Sequence, residues 1–214
     1  IAAAITKGRL GKELVDIESL VKTGAVAFTD DGSSVDDEEV LRQAFVKAKS
    51  LNVPVICHCE DKILSNNGAV NLGIISTKLG LRGISRESEY LRVKRDIELA
   101  QNEGATIHIA HVSCKESVEI IAQAKKSGVK VTCETAPHYF SLSEEDLCSY
   151  DTNMKMNPPL RSKTDIEAIK NGLKDGTIDV IASDHAPHTQ NEKDIEFDRA
   201  EFGVIGLQTL LSVS

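Results

Sequence analysis

Tryptophan is absent from the sequence, and aromatic residues are scarce: three Tyr and five Phe among 214 residues. The chain also lacks a Lys/Arg stripe, and its net charge is −8. Nucleic acid is held by basic patches with interleaved stacking side chains, so this composition excludes that class of partner. No apolar run approaches the roughly 20 residues of a membrane span, and no signal peptide opens the sequence, so no membrane partner is expected. No G-x-G-x-x-G follows a strand-like run and no P-loop occurs, which removes dinucleotide and P-loop folds. The five cysteines, Cys57, Cys59, Cys114, Cys133 and Cys148, are odd in number and scattered. They form no disulfide framework and fit a reducing, cytoplasmic setting. An initiating Met is missing too: Ile1 stands directly inside the apolar IAAAIT, and the sequence stops at VIGLQTLLSVS without a cap, so it reads as a fragment.

What is present is alternation. With 41% hydrophobic and 27% charged residues, the chain has globular composition. Strand-like runs occur at 25–30 (AVAFTD), 53–58 (VPVICH), 105–111 (ATIHIAH), 129–135 (VKVTCET) and 177–183 (TIDVIAS), with IAAAIT as a sixth. Helical patterns lie between them. Val40, Leu41, Ala44, Phe45 and Ala48 recur at helical spacing, with Asp36 and Glu39 suited to cap them. YLRVKRDIELAQ ends at Gly104, Ser113 and Glu116 frame a capping box for a helix reaching Lys126, and Thr164 and Glu167 cap DIEAIKNGLK. GVIGLQTLL opens a last helix. Alternation with short connections predicts one α/β domain with a parallel sheet. A doubly wound sheet and a (β/α)8 barrel both satisfy the pattern. A complete barrel has eight strands in about 250 residues, more than are counted here.

The polar residues at the strand ends carry the functional signal. AVAFT runs into Asp30 and Asp31, VPVIC into His58, Cys59, Glu60 and Asp61, ATIHIA into His111, and TIDVIAS into Asp184. A lone histidine or aspartate at a strand end is commonplace. Four such ends are not, because the carboxyl ends of barrel strands converge on one face, where active sites sit. Imidazoles and carboxylates together suit Zn²⁺ or Mn²⁺. Strand alternation turns Cys57 and Cys59 away from His58, so they are expected as packed thiols rather than ligands. Asp30 and Asp31 face opposite ways, which leaves one of them as a ligand. His108 and His111 differ in parity, which points His108 to the outer face.

These motifs bear a resemblance. TDDG (29–32), HCED (58–61), HVS (111–113), ETAPHY (134–139), KMNPPLR (155–161) and SDHAPH (183–188) resemble, in this order, the metal-dependent amidohydrolase superfamily, and most closely its dihydroorotases of the bacterial class I type. The resemblance spans residues 1–214 and implies a (β/α)8 TIM-type barrel with two Zn²⁺ per site. It implies that Asp31 is the bridging carboxylate, where many relatives carry a carboxylated lysine. His58 and His111 match the histidines of the second metal, and Asp184 a metal ligand that also acts as general base and acid. Asn157, His188, Phe202 and Gly203 match substrate-contacting positions. The family's H-x-H pair, the arginine that follows it and the small β-domain have no counterpart here. Residues 1–214 therefore read as a partial barrel domain, about strands 3 to 8 with their helices, expected to be inactive alone. The implied activity is reversible conversion of N-carbamoyl-L-aspartate to L-dihydroorotate, a hydrolase step of pyrimidine biosynthesis. The implied partners are this small-molecule substrate and a homo-oligomer or aspartate carbamoyltransferase complex. A non-catalytic scaffold for that transferase, and a hydantoinase-, dihydropyrimidinase- or allantoinase-type enzyme, are the competing readings. Retention of Asp31, His58, His111 and Asp184 argues against the scaffold.

Overall fold

Short Val- and Ile-rich runs alternate with amphipathic stripes, and a computed structural model describing residues 1–147 and 149–214 turns each run into a strand. In chain order the elements are β1 (Ala2–Ala3), α1 (Ile17–Lys22), β2 (Ala27–Thr29), α2 (Glu38–Ser50), β3 (Val55–Cys57), α3 (Lys62–Ser65), β4 (Val70–Asn71), α4 (Ile74–Leu79) and β5 (Gly83–Ile84). Then come α5 (Glu87–Glu103), β6 (Ile107–Ile109), α6 (Lys115–Lys126), β7 (Val131–Thr135), α7 (Pro137–Ser141), α8 (Lys163–Asp175), β8 (Val180–Ile181), α9 (Gln190–Lys193) and α10 (Leu207–Val213). Among the described residues the main sheet has six strands in the order β1-β2-β3-β6-β7-β8, and every neighbouring pair is parallel. Strand order thus follows chain order, as in a barrel wall and unlike a doubly wound sheet, whose order reverses at a switch point.

Alternation assigns the two faces of this wall. Val55 and Cys57, Ile107 and Ile109, and Val131 and Cys133 are buried against Leu41 and Phe45 of α2, Val93 and Ile97 of α5, Ile121 of α6 and Ile169 of α8. Each such aliphatic or aromatic side chain contributes roughly 1.5–3 kcal/mol by leaving water. The residues between them, Ile56, His108, Thr132 and Glu134, lie on the opposite face and are less buried. His108 Nδ1 is 2.8 Å from Thr132 Oγ1, and its Nε2 is 3.4 Å from Glu134 Oε2. His108 therefore belongs to the inner, polar row rather than to the helix-covered face that its parity predicts. Cys57, Cys59, Cys114 and Cys133 are buried free thiols, and burial pushes each of them up. Cys148 lies outside the described residues.

Three helix starts differ from the sequence pattern. Helix α2 is capped by Asp37, whose carboxylate accepts from the Glu39 and Val40 amides, while Asp36 pairs with Arg92. Helix α6 starts after Cys114 without a side-chain cap, because Ser113 is committed to Glu89. Helix α8 is capped by Ser162 together with Asp165, two residues before the expected pair.

A buried clasp holds the loops above this wall. Arg161 donates to Asn71 Oδ1 at 2.8 Å, to the Ile84 carbonyl at 3.3 Å and to Ser113 Oγ at 3.1 Å, and pairs with Glu89 Oε2 at 3.3 Å. Glu89 also accepts from the Ser113 and Cys114 amides and the Ser117 hydroxyl. Burial pushes the Glu89 carboxyl up, but Arg161 and these donors outweigh it and hold it below its ordinary range. One arginine thus ties the small parallel pair β4–β5, helix α5 and the loop after β6 to the NPPLR segment.

Candidate active site

At the end of β2 the chain presents two aspartates, and local hydrogen bonding separates them. Asp30 turns toward β1, where it accepts from the Ile5 amide at 2.8 Å, the Thr6 amide at 3.1 Å and the Thr6 hydroxyl. Asp31 turns the other way, with its Oδ1 3.6 Å from His58 Nδ1 and 3.4 Å from His111 Nε2. The two facing ring nitrogens are 2.8 Å apart. Asp31, His58 and His111 offer ligand atoms that all lie within 4.8 Å of one another. His58 follows β3 in strand register. His111 lies two residues beyond the end of β6 and has a φ of 35°, a left-handed turn that swings its ring into the cluster.

Burial, hydrogen bonding and charge shape the site. The adjacent imidazoles of His111 and His58 hold the Asp31 carboxyl far below its ordinary range. Burial opposes a charge on His58, but Asp31 and Glu60 outweigh it and raise the imidazole to about 9. The Glu60 carboxyl, pushed up by burial, is pulled down further by His58 and settles at about 2. His111 Nδ1 is buried without a hydrogen-bond partner. Two nearly buried imidazoles aimed at one carboxylate form an electron-rich donor set, and a divalent cation of borderline hardness fits it.

The remaining candidates surround this cluster. Asp184, beyond β8, has a φ of 46°. Its Oδ2 is 3.4 Å from Nε2 of His138, a buried residue of α7. Burial pushes the Asp184 carboxyl up, but His138 and His111 outweigh that and lower it. It stands beside the three-residue cluster rather than within it. His188 Nε2 is 2.8 Å from the Phe202 carbonyl, and the Gly203 amide donates to the Lys155 carbonyl at 2.9 Å. Buried Lys155 lies 4.5 Å over the Phe202 ring and donates to the Ala200 carbonyl at 2.6 Å. The structure thus gathers His188, Phe202 and Gly203 on one loop cluster. His185 is exposed, and its Nδ1 accepts from the Gly206 amide at 3.1 Å. Asn157 Nδ2 donates to Glu60 Oε2 at 3.1 Å, and that oxygen is 3.3 Å from His58 Nε2. The sequence did not single out Glu60 or His138 for a role; their positions in HCED and ETAPHY, just past the ends of β3 and β7, were the available signal.

No helix among the described residues is long and apolar enough to cross a membrane. A family model described as "Dihydro-orotase-like" matches residues 1–117. Dihydroorotase of Elusimicrobium minutum (strain Pei191) is 56% identical over 209 residues, which cover 98% of this chain and 48% of that protein. Dihydroorotase of Pelotomaculum thermopropionicum is 51% identical over 210 residues, 98% of this chain and 49% of the relative. The chain therefore spans about half the length of the curated relatives it matches. Among solved structures, a D-hydantoinase superposes with a TM-score of 0.81 at 23% identity, over 99% of this chain and 49% of that one. L-Hydantoinase (dihydropyrimidinase) from Arthrobacter aurescens superposes with a TM-score of 0.81 at 23% identity, over 98% and 49%. At that identity the likeness carries the fold alone, a wall of a (β/α)8 barrel. From the family match over residues 1–117, on the same strands that bring Asp31, His58 and His111 together, the chain belongs to the dihydro-orotase-like family.

Proposed function

We propose that this chain is part of a zinc-dependent dihydroorotase that interconverts N-carbamoyl-L-aspartate and L-dihydroorotate in pyrimidine biosynthesis. The observation that carries this reading is the convergence of Asp31, His58 and His111 in a chain 56% identical to a curated dihydroorotase. His58 Nδ1, His111 Nε2 and Asp31 are the residues that would hold one zinc, and Asp184 would serve as a ligand of the other. Zinc, when bound, supplies Lewis-acid activation of water and of the cyclic amide carbonyl. The chain's own part is to orient the ring and move one proton. Asp184 Oδ1, the oxygen not turned to His138, takes the proton of the attacking water and passes it to the departing ring nitrogen. Asn157, His188 and the Phe202–Gly203 backbone line the substrate side and fix the ring edge.

The full-length protein, reconstituted with zinc, is expected to hydrolyse L-dihydroorotate, to lose that activity on chelation and to regain it when zinc is restored. Turnover of hydantoins without dihydroorotate would replace the substrate assignment. Zinc binding without turnover of either would favour the non-catalytic scaffold. A cytoplasmic location, supported by the free buried thiols, and a homo-oligomer or a complex with aspartate carbamoyltransferase belong to the same reading.

A further inference from the structure

Glu60 touches both His58 of the candidate metal cluster and Asn157 on the substrate side. Its Oε2 lies 3.3 Å from His58 Nε2 and accepts from Asn157 Nδ2 at 3.1 Å. Its side chain is only 16% exposed, so water competes poorly for that oxygen. The backbone around it is fixed as well. The Glu60 amide donates to Ser34 Oγ at 2.8 Å, and the Ser34 hydroxyl donates to the His58 carbonyl at 2.6 Å. Ser34 is buried in the loop that begins with Asp31, so the Asp31 loop and the His58–Glu60 loop are locked to each other.

We propose that Glu60 is a positioning residue that sets the direction of two neighbours at once, and thereby couples the metal centre to substrate recognition. A carboxylate accepts and does not donate. The neutral form of His58 therefore carries its proton on Nε2, which leaves the Nδ1 lone pair on the His111 and Asp31 side, where a metal would need it. Asn157 must turn one N–H of its NH2 toward Glu60, which points its Oδ1 away as a free acceptor. That oxygen receives an N–H edge of the substrate and repels a carbonyl placed against it. The selection of an N–H edge rests on the reading of Asn157 as a substrate contact; the control of His58 does not.

The test uses the full-length protein and the variants Glu60→Gln and Glu60→Asp, with thermal melting of the metal-free forms to establish folding. In the zinc-loaded wild type, nitrogen NMR is expected to show His58 protonated on Nε2 alone and the Asn157 side-chain amide shifted and slow to exchange. Both signatures weaken in Glu60→Gln, which has no carboxylate. Zinc affinity, read by competition with a chromophoric chelator, falls roughly 10-fold, the lower end of the loss typical for a ligand's carboxylate partner. Glu60→Asp, which keeps the charge but shortens the reach, recovers part of the affinity. With dihydroorotate, Asn157→Ala raises KM much less in the Glu60→Gln background than in the wild type. An unchanged His58 tautomer with zinc affinity within twofold overturns the proposal, as does full additivity of the two substitutions. If the wild type turned over no dihydroorotate, the functional reading would fail while the NMR and chelator measurements still decided the role of Glu60.

Discussion

Asp184 and His185 are chain neighbours with different partners, and their substitutions separate chemistry from scaffolding. Asp184 faces His138 beside the Asp31–His58–His111 cluster, whereas His185 accepts from the Gly206 amide on the surface. Asp184→Ala is expected to abolish turnover of the full-length enzyme with little loss of fold. His185→Ala is expected to lower the melting temperature slightly and leave most turnover; equal loss of zinc and activity in both would break the assignment. Gly203 makes a sharper case. Its φ is 140°, and an added Cβ would sit 2.5 Å from the Ala186 carbonyl oxygen and 3.0 Å from His188 Nε2. Gly203→Ala is therefore expected to push the 186–188 loop out of place and raise KM about 10-fold or more, a positional loss read by steady-state kinetics. His58 was legible in the sequence because it follows its strand in register. His111 was legible only as a strand-end histidine: the turn at φ 35° that aims it is a backbone property, and parity alone pointed His108 the wrong way.

The clasp belongs to the scale of elements, because Arg161 and Glu89 join the NPPLR segment, the β4–β5 pair, α5 and the loop after β6. Both are buried, so removing one partner strands the other's charge. Arg161→Met is expected to cost about 3–5 kcal/mol in denaturant unfolding, where Lys163→Met on the surface costs little. The pH dependence follows from Glu89. Its carboxyl is held below the unfolded value of about 4.3, so its contribution is fully present above that pH and fades as pH falls through the folded value. Stability is therefore expected to drop in mild acid in the wild type, and less steeply in Glu89→Gln. The same clasp explains a misreading at this scale. The six strands of the main sheet and the long helices were legible from Val/Ile runs and from Val40, Leu41, Ala44, Phe45 and Ala48. The capping box at Ser113 was not realised, because its hydroxyl and amide are used 24 residues upstream by Glu89. Strands β4 and β5 lie among glycines and polar residues, outside any Val/Ile run like those that mark the other strands.

At the scale of the whole molecule, among the described residues, the sheet is a strip whose outer strands β1 and β8 each have one unpaired side. Residues 1–214 expressed alone are expected to self-associate through these edges and to show little turnover; a monodisperse, active preparation by light scattering and assay would refute this. The strand order of that strip carries a further consequence. Because each strand of the main sheet docks on the previous strand of that sheet, the wall can be laid down in the direction of synthesis. Asp31, His58 and His111 all precede residue 112, while Asp184 emerges 73 residues after His111. At 5–20 residues per second the ribosome takes roughly 4–15 s over that interval. The growing chain thus owns the Asp31–His58–His111 cluster before it owns Asp184, and the order of genetic reading becomes the order in which the site is assembled.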